Sequence, residues 1–411
     1  MKAYHFNYRD LFRAPRLAFS IQRIWINGTG LLLGYLVYLI FSYFSGIVGG
    51  YNCSAIWSDF GLLPCSFALY VPWYSTVIYL VGLALFGAII LFTNTAVSRV
   101  VYMALRDELF YTWTQAYKFA YKKWISSLGA MLTFVFIIAF FVIAALVMGF
   151  IGRIPFVGEL GTVLLTVPYI FASLLLLFII ISFLVAIFYV PAIIATSDED
   201  ALGGVFQSFS ITYNQLWRII LYGILLFFLY AVSVFILAAA FKISYNIFIS
   251  LFTLSMGDKI LQLQQQALYI IDQALPTVYG WANLLPGELG KWIYLTSPHP
   301  YAPHLGGIMQ VSGYILGIFL LFLGGVVVAY GEAVWNSGLT MIYVILYKLQ
   351  ERENLLERED EELKEEEEED QDSFQTEQVE MEEKPEPQKK AKKIPVKRKP
   401  RKSSPRKSSK E

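Results

Sequence analysis

The sequence predicts an all-α, polytopic integral membrane protein, on three observations. Of its 411 residues 56% are hydrophobic and only 16% charged. Six apolar runs are each long enough to cross a bilayer core of roughly 30 Å, which takes about 20 helical residues. The charge is segregated: residues 348–411 hold 17 Lys+Arg and 20 Asp+Glu, whereas residues 1–347 hold 15 and 12. A stretch with so few charges cannot cover a water-soluble surface, about a quarter of which is normally charged. A soluble enzyme, a secreted disulfide domain and a fibrous protein are excluded.

The apolar runs fall at about 26–50, 72–97, 127–150, 161–194, 218–250 and 307–347. In lipid the backbone must satisfy its own hydrogen bonds, so each is expected to be a helix. The first is too long for the core of a cleavable signal peptide and is expected to remain as a span. The last exceeds one simple crossing, and Glu332 and Asn336 mark where it leaves the core. Six spans put both termini on one side. Eleven basic residues from Lys2 to Arg218 flank that side, against Arg153, Lys259 and Lys291 opposite. Basic residues stay cytoplasmic, so the expectation is an inner (cytoplasmic) cell membrane with both termini inside.

The connections on the terminal side repeat. A shift of 93 residues lays Asp107 on Asp200, Trp113 on Phe206, Ala120 on Tyr213 and Trp124 on Trp217. Apolar positions recur every three or four residues, one face of a helix. A fainter copy, Ala14, Leu17, Ile21 and Trp25, precedes the first span. The spacing therefore predicts three hairpins, each preceded by an amphipathic helix at the inner membrane surface. Trp25, Trp124 and Trp217 are placed at headgroup level as anchors. The carboxylates Asp107, Glu108, Asp198 and Asp200 read as helix-start acids favoured by the dipole, with Ser197 and Asp200 close to a capping box. As paired catalytic acids they are the only sequence support for an enzyme acting on lipid.

The segment PAIIATSDEDALGGVFQSFSITYNQLWRIILYGILL, with the closing GLTMIYVILYKLQERE, resembles a broad group of bacterial and archaeal membrane proteins. That group includes the membrane domain found beside some glycerophosphoryl diester phosphodiesterases. The resemblance covers 190–235 and 335–352 and implies an acidic turn, an amphipathic helix and a span, all packing features. No soluble phosphodiesterase domain accompanies them here, and that activity is not expected.

Chemistry-bearing motifs are sparse. No P-loop, dinucleotide fingerprint, H-E-x-x-H or G-x-S-x-G occurs, and no cofactor or metal is expected. His299 and His304 flank two prolines without an acid or Cys to complete a site. Lys242, Glu332 and Arg99 are the ionisable residues within spans, where such groups usually mark transport paths. Gly30/Gly34, Gly46/Gly50 and Gly313/Gly317 are spaced for close helix contact. Cys53 and Cys65 share the 51–71 connection. Either they form a disulfide, worth on the order of 3 kcal/mol for such a loop, or they are two small thiols at the membrane edge. The outer segment 251–306 contains an amphipathic stretch, 258–275, expected to cap the bundle as an interfacial helix.

The domains are then a basic amphipathic segment (1–25), the six-span body (26–347), an acidic, partly helical tail (348–386) and a basic disordered end (387–411). The basic end, with Lys397, Arg398, Lys399, Arg401 and Lys402, has no aromatic to stack on bases and offers only phosphate attraction. Anionic lipid, ribosomal or other nucleic acid, and the chain's own acidic block all suit it. The expected role is a non-enzymatic membrane scaffold, assembly or envelope-homeostasis factor with a recruiting tail. The alternative is a transporter or channel for a small or lipid-like substrate, its cavity lined by Tyr38, Tyr43, Asn94, Tyr169, Ser233 and Asn246.

Overall fold

A computed structural model describes residues 4–65, 70–108, 110–276 and 305–358. All regular structure among them is helical. Six helices are long and apolar enough to cross a membrane. They are α3 (Ile21–Val48), α5 (Trp73–Leu105), α6 (Trp113–Ile151), α8 (Thr166–Ser197), α9 (Ala201–Met256) and α11 (Ile308–Glu351). Short helices α1 (Tyr8–Leu11) and α2 (Ala14–Ala18) precede them. Others, α4 (Cys53–Phe60), α7 (Val157–Leu164) and α10 (Asp258–Ala274), occupy the distal connections, at the end of the bundle away from α1 and α2. The protein is an all-α polytopic membrane protein, as its hydropathy predicts.

The second and third amphipathic stretches are not separate helices. Each runs on into the span that follows, as α6 and α9. In α9 the junction survives as a kink at Gln215 (φ −137°, ψ 22°). There the side-chain amide donates to the Leu346 carbonyl at 3.0 Å, fixing the bend. Before the first span the chain does break, since Ser20 is extended and α3 starts afresh.

The inward-running helices α5, α8 and α11 pack against one another at the centre. Each is flanked by its hairpin partner, α3, α6 or α9. Each is also covered by the opening helix of the next unit: α6 on α5, α9 on α8, and α2 with α3 on α11. The N-terminal segment thus closes the ring. Enclosure on every side explains the unbroken burial of 95–103, 189–197 and 336–347. Small residues allow the close approach: a Cβ on Gly338 would lie 2.0 Å from Leu226 Cδ1. All three central helices end in a left-handed residue, Asp107 (φ 66°), Asp198 (57°) and Arg352 (59°). The unit repeat is thus legible as matching helix ends, with Asp107 equivalent to Asp198 rather than to Asp200.

The distal half is looser. Residues 142–147 and 170–175 of the middle hairpin are exposed over consecutive helical turns, so apolar side chains there meet lipid on all sides.

Candidate functional site

Polar side chains collect in two places. The first lies in the terminal half. Asn27 and Asn336 are almost fully buried, and the Asn336 amide donates to Asn27 Oδ1 at 3.0 Å and to Asn94 Oδ1 at 2.9 Å. Three carboxamides thereby join α3, α5 and α11. Arg99, 1% exposed, donates to the Ala195 carbonyl at 3.0 Å and lies 4.3 Å from the Phe119 ring centroid. Ser197 Oγ and Tyr343 Oη are 2.9 Å apart, and the Tyr102 hydroxyl donates to the Leu355 carbonyl at 2.8 Å. Each contact crosses from one unit to another. Buried polar groups are costly unless paired, so this network favours one arrangement of the three units over slipped ones.

The second place is the junction of two distal connections. Hydroxyls of Tyr35 and Tyr43, one α3 face, donate to the carbonyls of Leu62 and Gly61 at 2.6 Å each. Tyr38 between them donates to Pro64. This ladder draws residues 61–64 down along α3. There the Leu62 amide donates to the Ala274 carbonyl at the end of α10, at 2.7 Å. A Cβ on Gly61 (φ 57°) would sit 2.4 Å from that carbonyl, so glycine is required twice over. Cys65 is drawn in with the loop, its Sγ 3.9 Å from the Tyr79 hydroxyl, while Cys53 stays exposed on α4. Both are free thiols, so the disulfide alternative is not the one the structure adopts.

α10 runs lengthwise beside α11 instead of capping it. Gly313 and Gly317 face Gln266 and Ala267, and Ile260, Ala267 and Ile271 join Tyr245, Ile249 and Leu320 in one cluster. The Gly313/Gly317 spacing, read from sequence as packing, is what admits the helix.

The proposed cavity residues do not converge. Tyr38 and Tyr43 serve the loop ladder, and Asn94 the carboxamide triad. Ser233 donates to its own helix at Leu229, 2.6 Å away; Tyr169 lies on the middle hairpin and Asn246 is exposed on α9. Trp25, Trp124 and Trp217 are 58%, 45% and 70% exposed.

The helix-start acids divide. Asp200 caps α9 by accepting from the Gly203 amide at 2.8 Å. Asp107 and Asp198 instead end the preceding helices. α6 is capped by Thr112 in a capping box with Gln115, and Ser197 turns back to the Ile193 carbonyl. Asp198 pairs with Lys123 at 2.7 Å. Among the described residues no group of three or more His, Cys, Asp or Glu could hold a metal. His299, His304 and the basic-tail residues Lys397, Arg398, Lys399, Arg401 and Lys402 lie outside the described residues. Asn27, Gln215 and Tyr35 escaped the sequence reading because single polar residues in apolar runs carry no periodic signal. Comparison with protein-family models, curated proteins and solved structures gives no match.

Proposed function

We propose that the chain is a non-enzymatic membrane scaffold or assembly factor, held in the inner membrane with both termini cytoplasmic and recruiting through its charged tail. The observation that carries this is the terminal half: its core is closed by side chains, and its polar groups bond between units. Such a base is suited to holding shape, since a packed interior has discrete arrangements and does not deform continuously. The transporter alternative called for six named residues around one cavity, and they are dispersed over three hairpins. The eleven-to-three basic asymmetry supports the orientation.

Recruitment falls to the basic end, whose attraction to phosphate must weaken with salt. Purified full-length protein and a form lacking residues 387–411 are compared for binding to anionic vesicles and to ribosomes across a salt series. Loss of salt-sensitive binding on truncation is expected; equal binding by both forms refutes recruitment by this segment.

A further inference from the structure

We infer that α10 is a re-entrant helix lining a water-filled vestibule, which opens on the distal face, reaches the middle of the bilayer, and admits cationic or neutral polar groups rather than anions. The inference rests on membrane placement and goes beyond the scaffold reading, which does not require it.

Two independent rulers give the depth. Along α11, Gly313 meets Gln266, Gly317 meets Ala267, and Leu320 joins the cluster of Ile271. The two helices therefore descend together from the distal side. Leu320 is twelve residues from the start of α11 at Ile308, about 18 Å at 1.5 Å per residue. The other ruler is α3. The Ala274 carbonyl holds the Leu62 amide, and the Leu62 carbonyl holds the Tyr35 hydroxyl. Tyr43 holds the neighbouring Gly61 carbonyl, so Tyr35 and Tyr43 bracket the Ala274 level; their midpoint is fourteen residues from Trp25 and nine from the distal end at Val48, about 21 and 14 Å. In a core of roughly 30 Å both place the end of α10 near the middle.

The chemistry of its free face then decides what lies beside it. Ile260, Ala267, Ile271 and Ala274 are buried on one side. Opposite them Asp258, Gln262, Gln265, Tyr269 and Asp272 recur at spacings of four, three, four and three, a single helical stripe. Gln262, Gln265 and the flanking Gln273 are exposed. The Gln273 amide donates to the Tyr269 hydroxyl at 2.7 Å, one polar side chain serving another on the same face. Carboxamides and carboxylates turned to hydrocarbon at this depth would be prohibitively costly, so the stripe faces water continuous with the distal side. It carries two carboxylates and no base, Lys259 lying off its axis near the mouth. That sign of charge favours cations and hydrogen-bonding solutes and repels anions.

The test uses the full chain with Cys53→Ser and Cys65→Ser, in sealed membranes whose distal face is accessible. Single cysteines replace Gln262, Gln265 and Gln273, all exposed side chains whose loss leaves packing intact. Ile318→Cys serves as a lipid-facing control; it is 63% exposed on α11. Charged, membrane-impermeant methanethiosulfonates are applied from the distal side. All three α10 cysteines are expected to react and Ile318→Cys to stay silent. Reaction at 262 with none at 273 overturns the vestibule, and reaction at 318 overturns the intramembrane placement. At Gln273→Cys the cationic reagent, normalised to a free thiol, is expected to outpace the anionic one. The preference is roughly tenfold before screening by salt, because one carboxylate at about 6 Å in a water-like dielectric changes each rate about threefold, in opposite directions. Asp272→Asn should abolish it. Equal normalised rates in the Asp272 parent overturn the charge selectivity.

Discussion

Replacing Asn336 by Leu, nearly its isostere, removes the donor that one buried and one half-buried oxygen share. Asn27 Oδ1 and Asn94 Oδ1 lose bonds of 3.0 and 2.9 Å. An orphaned buried acceptor costs about 1–3 kcal/mol, while cycles in membrane proteins average nearer 0.6 kcal/mol per hydrogen bond. The expected loss is therefore about 2 kcal/mol for the pair. Replacing all three carboxamides by Leu leaves no acceptor orphaned. The triple variant is expected to be more stable than the single one, because removing every partner can be nearly neutral. The assay is equilibrium unfolding in mixed micelles, run as a cycle over Asn27, Asn94 and Asn336. A loss below about 0.5 kcal/mol for Asn336→Leu, or a triple variant as unstable as the summed singles, would refute the triad as a coupled unit.

Two further outcomes are expected. Gly30→Ala should destabilise by about 1–3 kcal/mol through overpacking, because its Cβ would meet Thr93 Oγ1 at 2.1 Å. Gly28→Ala, whose Cβ meets only Ala329 Cβ at 3.5 Å, should be close to neutral; similar thermal midpoints for the two variants contradict the contact. Burial, with a smaller contribution from Asp107, raises the Tyr4 hydroxyl above its ordinary 10.0. The folded state then favours the protonated phenol, so its contribution is complete below pH 10.0 and falls as pH rises beyond it. Wild type should lose thermal stability relative to Tyr4→Phe as pH is raised past that value, and parallel curves would count against the half-buried position.

Much of the fold was legible because hydropathy is a local signal read over whole helices. The six runs, the repeated unit and two of the three small-residue spacings, Gly30/Gly34 and Gly313/Gly317, appear as helices and contacts, whereas Gly50 lies beyond the end of α3 with open space around it. The amphipathic stretch 258–275 shows why depth was not. A helix lying on a membrane and one descending into a polar cleft share the same two-faced pattern, and only the fit of Gln266 and Ala267 to Gly313 and Gly317 separates them. The carboxamide triad was hidden for another reason. Asn27 and Asn336 are 309 positions apart, and a lone Asn in an apolar run gives no sign of its partner. The 93-residue shift matches Asp107 to Asp200, whereas its backbone conformation pairs it with Asp198. Carboxylates suit helix starts and left-handed helix ends alike, so the residue type could not choose.

The ring closed by α2 on α11 also imposes an order in time. The segment that completes it is synthesised before all six long apolar helices, and the helix it closes upon is the sixth of them. At 5–20 residues per second, about 20–60 s separate the two at the ribosome. Through that interval Leu11, Ala14 and Ala18, all fully buried in the finished protein, have no α11 to cover them. In that interval α1 and α2 lack the surface on which they dock, so their burial follows the formation of the sixth long apolar helix.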